Sequence, residues 1–414
     1  MNEFIGYRCS LCGTEYGPKD VNYVCPKDGG NLDVILDYDA IKRKYRPEDI
    51  TSRTDASLWR YLPLLPVADP GGERTPLRAA GWTPTYQPQY LAEKLGLKNL
   101  WVKDEGRNPT ASFKDRASAV VVARARQIGA EVIVTASTGN AGAALAGMSA
   151  AIGQKAVILA PKTAPQAKVA QLLIYGAKVI LVDANYDAAF DLAIEAAKEF
   201  GWYCRNTGYN PFTVEGKKTA AFEIWERVLL PLNGTHRPLA IFVSVGDGNI
   251  ISGIHKGFKD LQAFGWLEEM PRLFGIQSEN SAAIANAYFA KTEDIRPVEA
   301  TTIADSISVD LPRDGVRAVR AATQTGGDYL TVKDDDILKA IPELGKVGIF
   351  AEPAGAAAYA GLQKAIAQGR IGPEDPVLVL NTGSGLKDIR AAMQAVAPAP
   401  VIKPTLEALK ELLA

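Results

Sequence analysis

Histidine is almost missing from this chain. Its 414 residues hold two, His236 and His255, and neither falls in any motif described below. The commonest proton carrier of enzyme sites is therefore unavailable to those motifs. Cysteine is scarce as well. There are four, and Cys9, Cys12 and Cys25 cluster near the start. That usage argues against a disulfide framework. It points to metal ligation in a reducing compartment, with the cytoplasm as the expected location. No sign of charge dominates: 46 Lys plus Arg face 47 Asp plus Glu, for a net charge of −1. Neither nucleic acid nor an anionic membrane is expected as a partner. No apolar run approaches the ~20 residues of a membrane span. The opening Met1-Asn2-Glu3-Phe4-Ile5-Gly6 lacks the basic and apolar regions of a signal peptide. Internal repeats and low-complexity tracts are absent.

What is present suits a large globular enzyme. The length allows a sizeable core and two lobes, and 47% apolar residues is ordinary for such a chain. Residues 1–33 read as a small separate module. Cys9-Ser10-Leu11-Cys12 and Cys25-Pro26-Lys27-Asp28 each precede glycine, at Gly13 and at Gly29-Gly30. Two such knuckles make a zinc ribbon when each supplies two ligands. Asp28 stands where a fourth cysteine would be, and carboxylate is a harder ligand than thiolate. Two readings follow: a bound structural zinc, or a relic ribbon held by its hairpins alone. A closed four-ligand site leaves no open coordination position, so the module is expected to be structural.

Residues 34–117 mix short helices with proline-rich connections and lead into the core. Continuous apolar runs at Leu100–Val102, Val132–Ala136, Ala156–Ala160, Val179–Val182, Leu239–Val245, Leu273–Gln277 and Val377–Asn381 predict buried parallel strands. Alanine-rich helical stretches lie between them, which is the pattern of a doubly wound α/β fold. The expected division is a small lobe over 118–205, a large lobe over 206–396 and a helical tail over 397–414. The tail places Leu406, Leu409 and Leu413 on one face, expected to pack on the body or on a second subunit.

The run Asn108-Pro109-Thr110-Ala111-Ser112-Phe113-Lys114-Asp115-Arg116 breaks a local rule. Asn-Pro-Thr predicts a turn, and Ser112 can cap a helix whose apolar run begins near Ala117. Lys114 then falls in the first turn. Cations are disfavoured at that positive end. A lysine there deprotonates more easily, which suits a nucleophilic amine. Two further loops follow strands and open helices. Ser137-Thr138-Gly139-Asn140-Ala141-Gly142 offers free backbone N–H groups to an anion. Val245-Gly246-Asp247-Gly248-Asn249-Ile250 lets backbone approach a phosphate. It is not the dinucleotide fingerprint, because Ile251 takes the place of the third glycine.

Asn108 to Arg116 closely resembles the lysine loop of fold-type II pyridoxal-phosphate enzymes. The threonine synthase branch typically reads Asn-Pro-Thr-Gly-Ser-Phe-Lys-Asp-Arg-Gly there, so Ala111 and Ala117 replace glycines. Thr75-Pro76-Leu77, Asn210–Thr219, Ala351–Ala356 and Asn381–Asp388 resemble further segments of the family in the expected order. The resemblance implies a two-lobed α/β enzyme with mainly parallel sheets, preceded by the ribbon. Its site would lie in the cleft where strand C-termini converge. It implies pyridoxal 5'-phosphate as cofactor, an amino-acid substrate and a homodimer. Lys114 would bind the cofactor covalently and act as base, with Phe113 beside it. Ser137, Thr138 and Gly139 would hold the substrate α-carboxylate, and Asn140 the phenolic oxygen of the cofactor. Gly246, Asp247, Gly248, Asn249 and Ile250 would hold its phosphate. The Thr382 hydroxyl would meet the ring nitrogen and leave it unprotonated.

Two departures bear on the substrate. Ser384 replaces the usual histidine of the last motif. Thr213 replaces the arginine that contacts the substrate phosphate in threonine synthases, and a hydroxyl lacks a guanidinium's charged fork. Lys217 or Lys218 is expected to supply the missing charge. The reaction implied is O-phosphohomoserine plus water to threonine plus phosphate. A β-elimination or β-replacement enzyme, similar to a serine/threonine dehydratase or a cysteate synthase, tolerates both departures and is the alternative. A third reading is a non-catalytic adaptor with a decayed body, and the intact lysine, asparagine, glycine loop and threonine argue against it.

Overall fold

The computed structural model describes residues 4–164, 166–232 and 237–414. His236 lies outside the described residues. The N-terminal module is a small antiparallel sheet of β1 (Phe4–Cys9), β2 (Glu15–Tyr16) and β3 (Leu32–Leu36), in the order β2-β1-β3. Its inner face buries Tyr7, Leu32, Val34 and Leu36 against the body.

The next strands are β4 (Thr85–Tyr86) and β5 (Leu100–Asp104). They are followed by β6 (Val132–Ala136), β7 (Lys155–Pro161), β8 (Lys178–Val182) and β9 (Tyr203–Cys204). The last are β10 (Ala240–Ser244), β11 (Arg272–Ser278), β12 (Asp328–Val332) and β13 (Val377–Asn381). One sheet runs β8-β7-β6-β9 and is parallel throughout. The other runs β12-β11-β10-β13-β5-β4 and is parallel except for the β4–β5 pair. Every residue of β5, β10 and β13 is buried, because helices cover both faces of these inner strands, and their sequences are accordingly continuous apolar runs broken only near their ends. β12 has no counterpart among the expected strands. It lies at the sheet edge, and its Asp-Tyr-Leu-Thr-Val is neither a continuous apolar run nor an alternation, with Asp328 and Thr331 half-buried and Tyr329, Leu330 and Val332 buried.

One local expectation is corrected, and another is narrowed to one of its two alternatives. The helix carrying Lys114 spans Lys114–Gln127 and has Phe113 as its N-cap, with no side-chain cap. Ser112 therefore does not cap it, and the Ser112 Oγ is buried without a partner. The tail helix Leu406–Leu413 buries none of its residues against the body. The proline-containing stretch before it (Pro398, Pro400, Pro404) carries the chain away from the core. No helix among the described residues is long and apolar enough to cross a membrane.

Candidate active site

Parallel strands aim their C-terminal ends the same way, and the segments leaving those ends form one cleft. Lys114 follows β5, Ser137–Asn140 follow β6, Gly246–Asn249 follow β10 and Thr382 follows β13. All of them line a cavity of about 470 Å³. Two backbone contacts join the first and last of these segments. Phe113 N–H donates to the Thr382 carbonyl at 2.9 Å, and Ser384 N–H donates to the Ala111 carbonyl at 3.0 Å.

The residues around Lys114 explain why it alone faces the cavity. Asp115 accepts from the Thr110 N–H at 2.6 Å and from the Thr110 hydroxyl. Asn108 accepts from Gly81 N–H at 2.9 Å and donates to Glu105. Arg116 is fully buried and pairs with Glu105 at 2.7 Å and with Glu223. Lys103 pairs with the same Glu223 at 2.6 Å. Two carboxylates and two cations thus sit out of water in mutual contact, a satisfied network that fixes the loop. Lys114 itself makes no hydrogen bond or ion pair among the described residues. Burial draws its pKa below the ordinary lysine range, against the opposing pull of the Glu352 carboxylate. A free amine facing a cavity is a nucleophile and base in waiting.

Ala111 takes a left-handed φ of +66°, which suits the glycine usual at that position in the family it resembles. Left-handed geometry costs an L-residue roughly 1–2 kcal/mol, partly offset by the smaller unfolded-state entropy of alanine. Ala111→Gly should therefore stabilise the fold by about 0.5–1 kcal/mol. A thermal melt of both proteins checks this, and an unchanged or lower melting temperature contradicts it.

The glycine loop after β10 is shaped for an anion. A Cβ on Gly246 would stand 2.7 Å from the Ile307 Cα, and one on Gly248 (φ +88°) 2.6 Å from the Asp314 carbonyl. Only glycine lets the backbone lie this close, and the helix Asn249–Phe264 begins there. Lys217 donates to Asn249 Oδ1 at 2.5 Å, and Asn249 Nδ2 donates to Asp314 at 2.7 Å. Burial and the neighbouring charges of Lys114 and Arg205 push Lys217 well below its usual pKa. Asp247 is pushed up to about 7 by burial. Such a crowd of depressed cations gains charge when an anion enters.

The structure separates the two lysines left open by the sequence. Lys217 lines the cavity. Lys218, one residue and about 100° further round the helix, is buried between Glu215 at 2.5 Å and Asp260 at 2.8 Å. The expectation that Lys218 meets substrate is corrected. Thr213 is buried too, its hydroxyl donating to the Asn210 carbonyl at 2.7 Å. Phe113 is buried against Arg116 and does not line the cavity, so its expected place beside the cofactor is corrected to a backbone tie. His255 is buried and does not reach the cavity.

Sequence reasoning gave the other residues at the site no role, although Glu352 lies in the Ala351–Ala356 segment that resembles the family. Glu352 accepts from Asn140 Nδ2 at 2.8 and 3.1 Å, and Ser306 lies 3.2 Å from the same nitrogen. Gly383 makes room for it, since a Cβ there would lie 2.3 Å from Glu352 Oε1. Arg205 follows β9 and is fully buried, with hydroxyl partners Ser118 and Thr207 and no partner for Nη2. Burial lowers its pKa to about 10. Arg313 lines the cavity. Ser244, at the end of β10, lines it as well and has an unpartnered hydroxyl. A free lysine amine, orphaned Arg205 and Ser244 groups and a glycine cradle fit a phosphorylated aldehyde cofactor.

Fold and site together define a pyridoxal-phosphate-dependent enzyme, and residues 77–383 match the family model described as pyridoxal-phosphate dependent enzyme. Solved structures agree on the fold. Threonine deaminase isoform 2 from Solanum lycopersicum superposes with a TM-score of 0.66 at 22% identity, covering 80% of this chain and 92% of that one. O-ureido-L-serine synthase gives 0.63 at 20%, over 79% and 97%. The chain belongs to the threonine synthase family of pyridoxal-phosphate-dependent lyases. It is 39% identical to the threonine synthase of Methanocaldococcus jannaschii over 98% of both chains. It is 37% identical to that of Methanosarcina acetivorans, over 98% of this chain and 97% of the other.

Proposed function

We propose that this enzyme converts O-phosphohomoserine and water to threonine and phosphate. One observation carries the reading. Lys114, Lys217 and Arg313 line one cavity together with the Gly246–Ile250 loop, and the charge of buried Arg205 helps depress Lys217. A glycine loop at a helix N-terminus beside these cations suits phosphate groups on cofactor and substrate. Bound there, pyridoxal phosphate supplies an aldehyde for the substrate amine and an electron sink for charge developing at Cα.

The side chains divide the remaining work. The N–H groups of Ser137–Gly139 receive the substrate carboxylate. Gly246–Ile250 would hold the cofactor phosphate at a helix N-terminus. Thr382 would offer the ring a neutral hydroxyl, and Asn140, braced by Glu352, would serve its phenolic oxygen. Lys114 takes the Cα proton and one Cβ proton, and returns them to Cα and Cγ. Phosphate leaves Cγ as its C–O bond breaks. A water then gives hydroxyl to Cβ, and a proton ends at Cγ. Lys217 supplies the charge absent at Thr213.

Purified protein given O-phosphohomoserine should release threonine and phosphate in equal amounts. Turnover of serine, threonine or O-phosphoserine, with O-phosphohomoserine ignored, would make the β-elimination or β-replacement reading correct instead. Lys217→Ala should mainly raise KM for O-phosphohomoserine. A factor of about 10 or more is expected, since a charge-assisted contact contributes roughly 1.5–3 kcal/mol. An unchanged KM contradicts that role. We assign the enzyme to the cytoplasm, since Cys9, Cys12, Cys25 and Cys204 are all free thiols. We propose a homodimer, in which a partner covers the exposed Leu406, Leu409 and Leu413.

A further inference from the structure

The ribbon brings Cys9, Cys12, Cys25 and Asp28 together with all four ligand atoms within 4.8 Å of one another. A tetrahedral zinc with bonds of about 2.3 Å to sulfur and 2.0 Å to oxygen keeps its ligands roughly 3.5–3.8 Å apart. The Cys12 and Cys25 sulfurs lie 3.8 Å apart, and Cys9 Sγ lies 3.3 Å from Asp28 Oδ1. Backbone N–H groups of Leu11 (3.3 Å) and Cys12 (3.5 Å) point at Cys9 Sγ. Gly30 is required beside them, since a Cβ there would stand 2.8 Å from that sulfur. An iron–sulfur cluster is held by four thiolates. Three thiolates and one carboxylate suit a single zinc.

The same ribbon is tied to the walls of the cleft. Asn31, three residues beyond Asp28, donates to the carbonyls of Gly208 and, at 3.0 Å, of Arg313. Asp33 accepts from Arg317 at 2.8 Å. Arg317 also binds Asp314 at 2.6 and 2.8 Å. Asp314 in turn holds Asn249 of the glycine loop. Arg320 donates to the Ser10 carbonyl between the first two cysteines. The Tyr23 hydroxyl accepts from Cys204 N–H at 2.9 Å, next to Arg205, and its ring stacks on Tyr209. Of these contacts, the Asn31 pair ends on Arg313 and beside Thr207, both of which line the cleft, and the Asp33 chain ends on Asn249, which lines it as well.

We propose that Cys9, Cys12, Cys25 and Asp28 hold one zinc ion, and that this ion positions the glycine loop through Asn31, Asp33, Arg317 and Asp314. The ribbon is then a remote brace for cofactor binding. The coupling rests on the cofactor site described above, whereas the zinc site stands alone.

The test uses full-length protein purified without a metal-affinity tag. Zinc is counted by elemental analysis, and pyridoxal phosphate is titrated into cofactor-stripped protein by fluorescence quenching. Wild type should hold one zinc per chain, and Asp28→Cys should retain it at least as well against a chelator. Cys12→Ser should lose zinc and bind pyridoxal phosphate roughly threefold to tenfold more weakly, the scale of one or two buried hydrogen bonds. Asn31→Ala and Asp33→Ala should keep zinc and weaken the cofactor by a similar factor. They also decide the coupling if Cys12→Ser does not fold. Zinc-free wild type, or full zinc in Cys12→Ser, overturns the metal site. Unmoved cofactor affinity in every variant overturns the coupling alone. A wild type that takes up no pyridoxal phosphate overturns the coupling together with the cofactor reading.

Discussion

Lys114→Ala is expected to abolish turnover and leave the fold intact. The cavity would lose its only unpaired amine among the described residues, and with it both covalent anchor and base. The lost base alone accounts for about 10²- to 10⁴-fold. The fold should survive because the Lys114 side chain makes no hydrogen bond or ion pair among the described residues, while Asp115, Arg116 and Asn108 on either side hold the loop. Steady-state kinetics and a denaturation curve on the same preparation check both halves. Residual turnover within tenfold of wild type would remove Lys114 from the mechanism.

Glu223→Ala is expected to have the largest effect on stability. Glu223, itself fully buried, accepts from the fully buried Arg116 and Lys103 (2.6 Å) and from the N–H of partly buried Trp82 at 2.7 Å. Removing it leaves Lys103 with Glu105 at 3.8 Å as its nearest carboxylate, and Arg116 with half its partners. Breaking a buried ion pair from one side costs about 3–5 kcal/mol. Chemical denaturation of holoenzyme should show a loss on that scale. A loss below about 1 kcal/mol would mean that water or a rearranged partner compensates. Because Arg116 anchors the lysine loop, the variant should also bind cofactor more weakly.

Much of the site was legible because its residues lie where strands end. Ser137–Asn140, Gly246–Asn249 and Thr382 follow β6, β10 and β13, and runs of small residues after an apolar strand signal backbone approach to a ligand. Lys114 stood out by placing a cation at a helix N-terminus. Arg205 and Arg313 did not, because nothing local distinguishes them, and the Ala351–Ala356 segment marked the family without giving Glu352 a role. Topology alone brings Glu352 to Asn140 across 212 positions of sequence. The choice between Lys217 and Lys218 needed the helix phase, which sequence leaves open within a short helix. β12 was missed because Asp328 and Thr331 interrupt its apolar residues, so its five positions show neither a continuous run nor a period of two. The tail stayed open between body and second subunit for a different reason. An apolar helix face states that something covers it, and says nothing of which molecule does.

The most direct test of the central claim is borohydride reduction of holoenzyme followed by peptide mapping. The expected result is cofactor label on the peptide carrying Lys114, at one site per chain and absent after Lys114→Ala. Label on Lys217 or any other lysine, or no label in protein that binds pyridoxal phosphate, would contradict the assignment of this cleft.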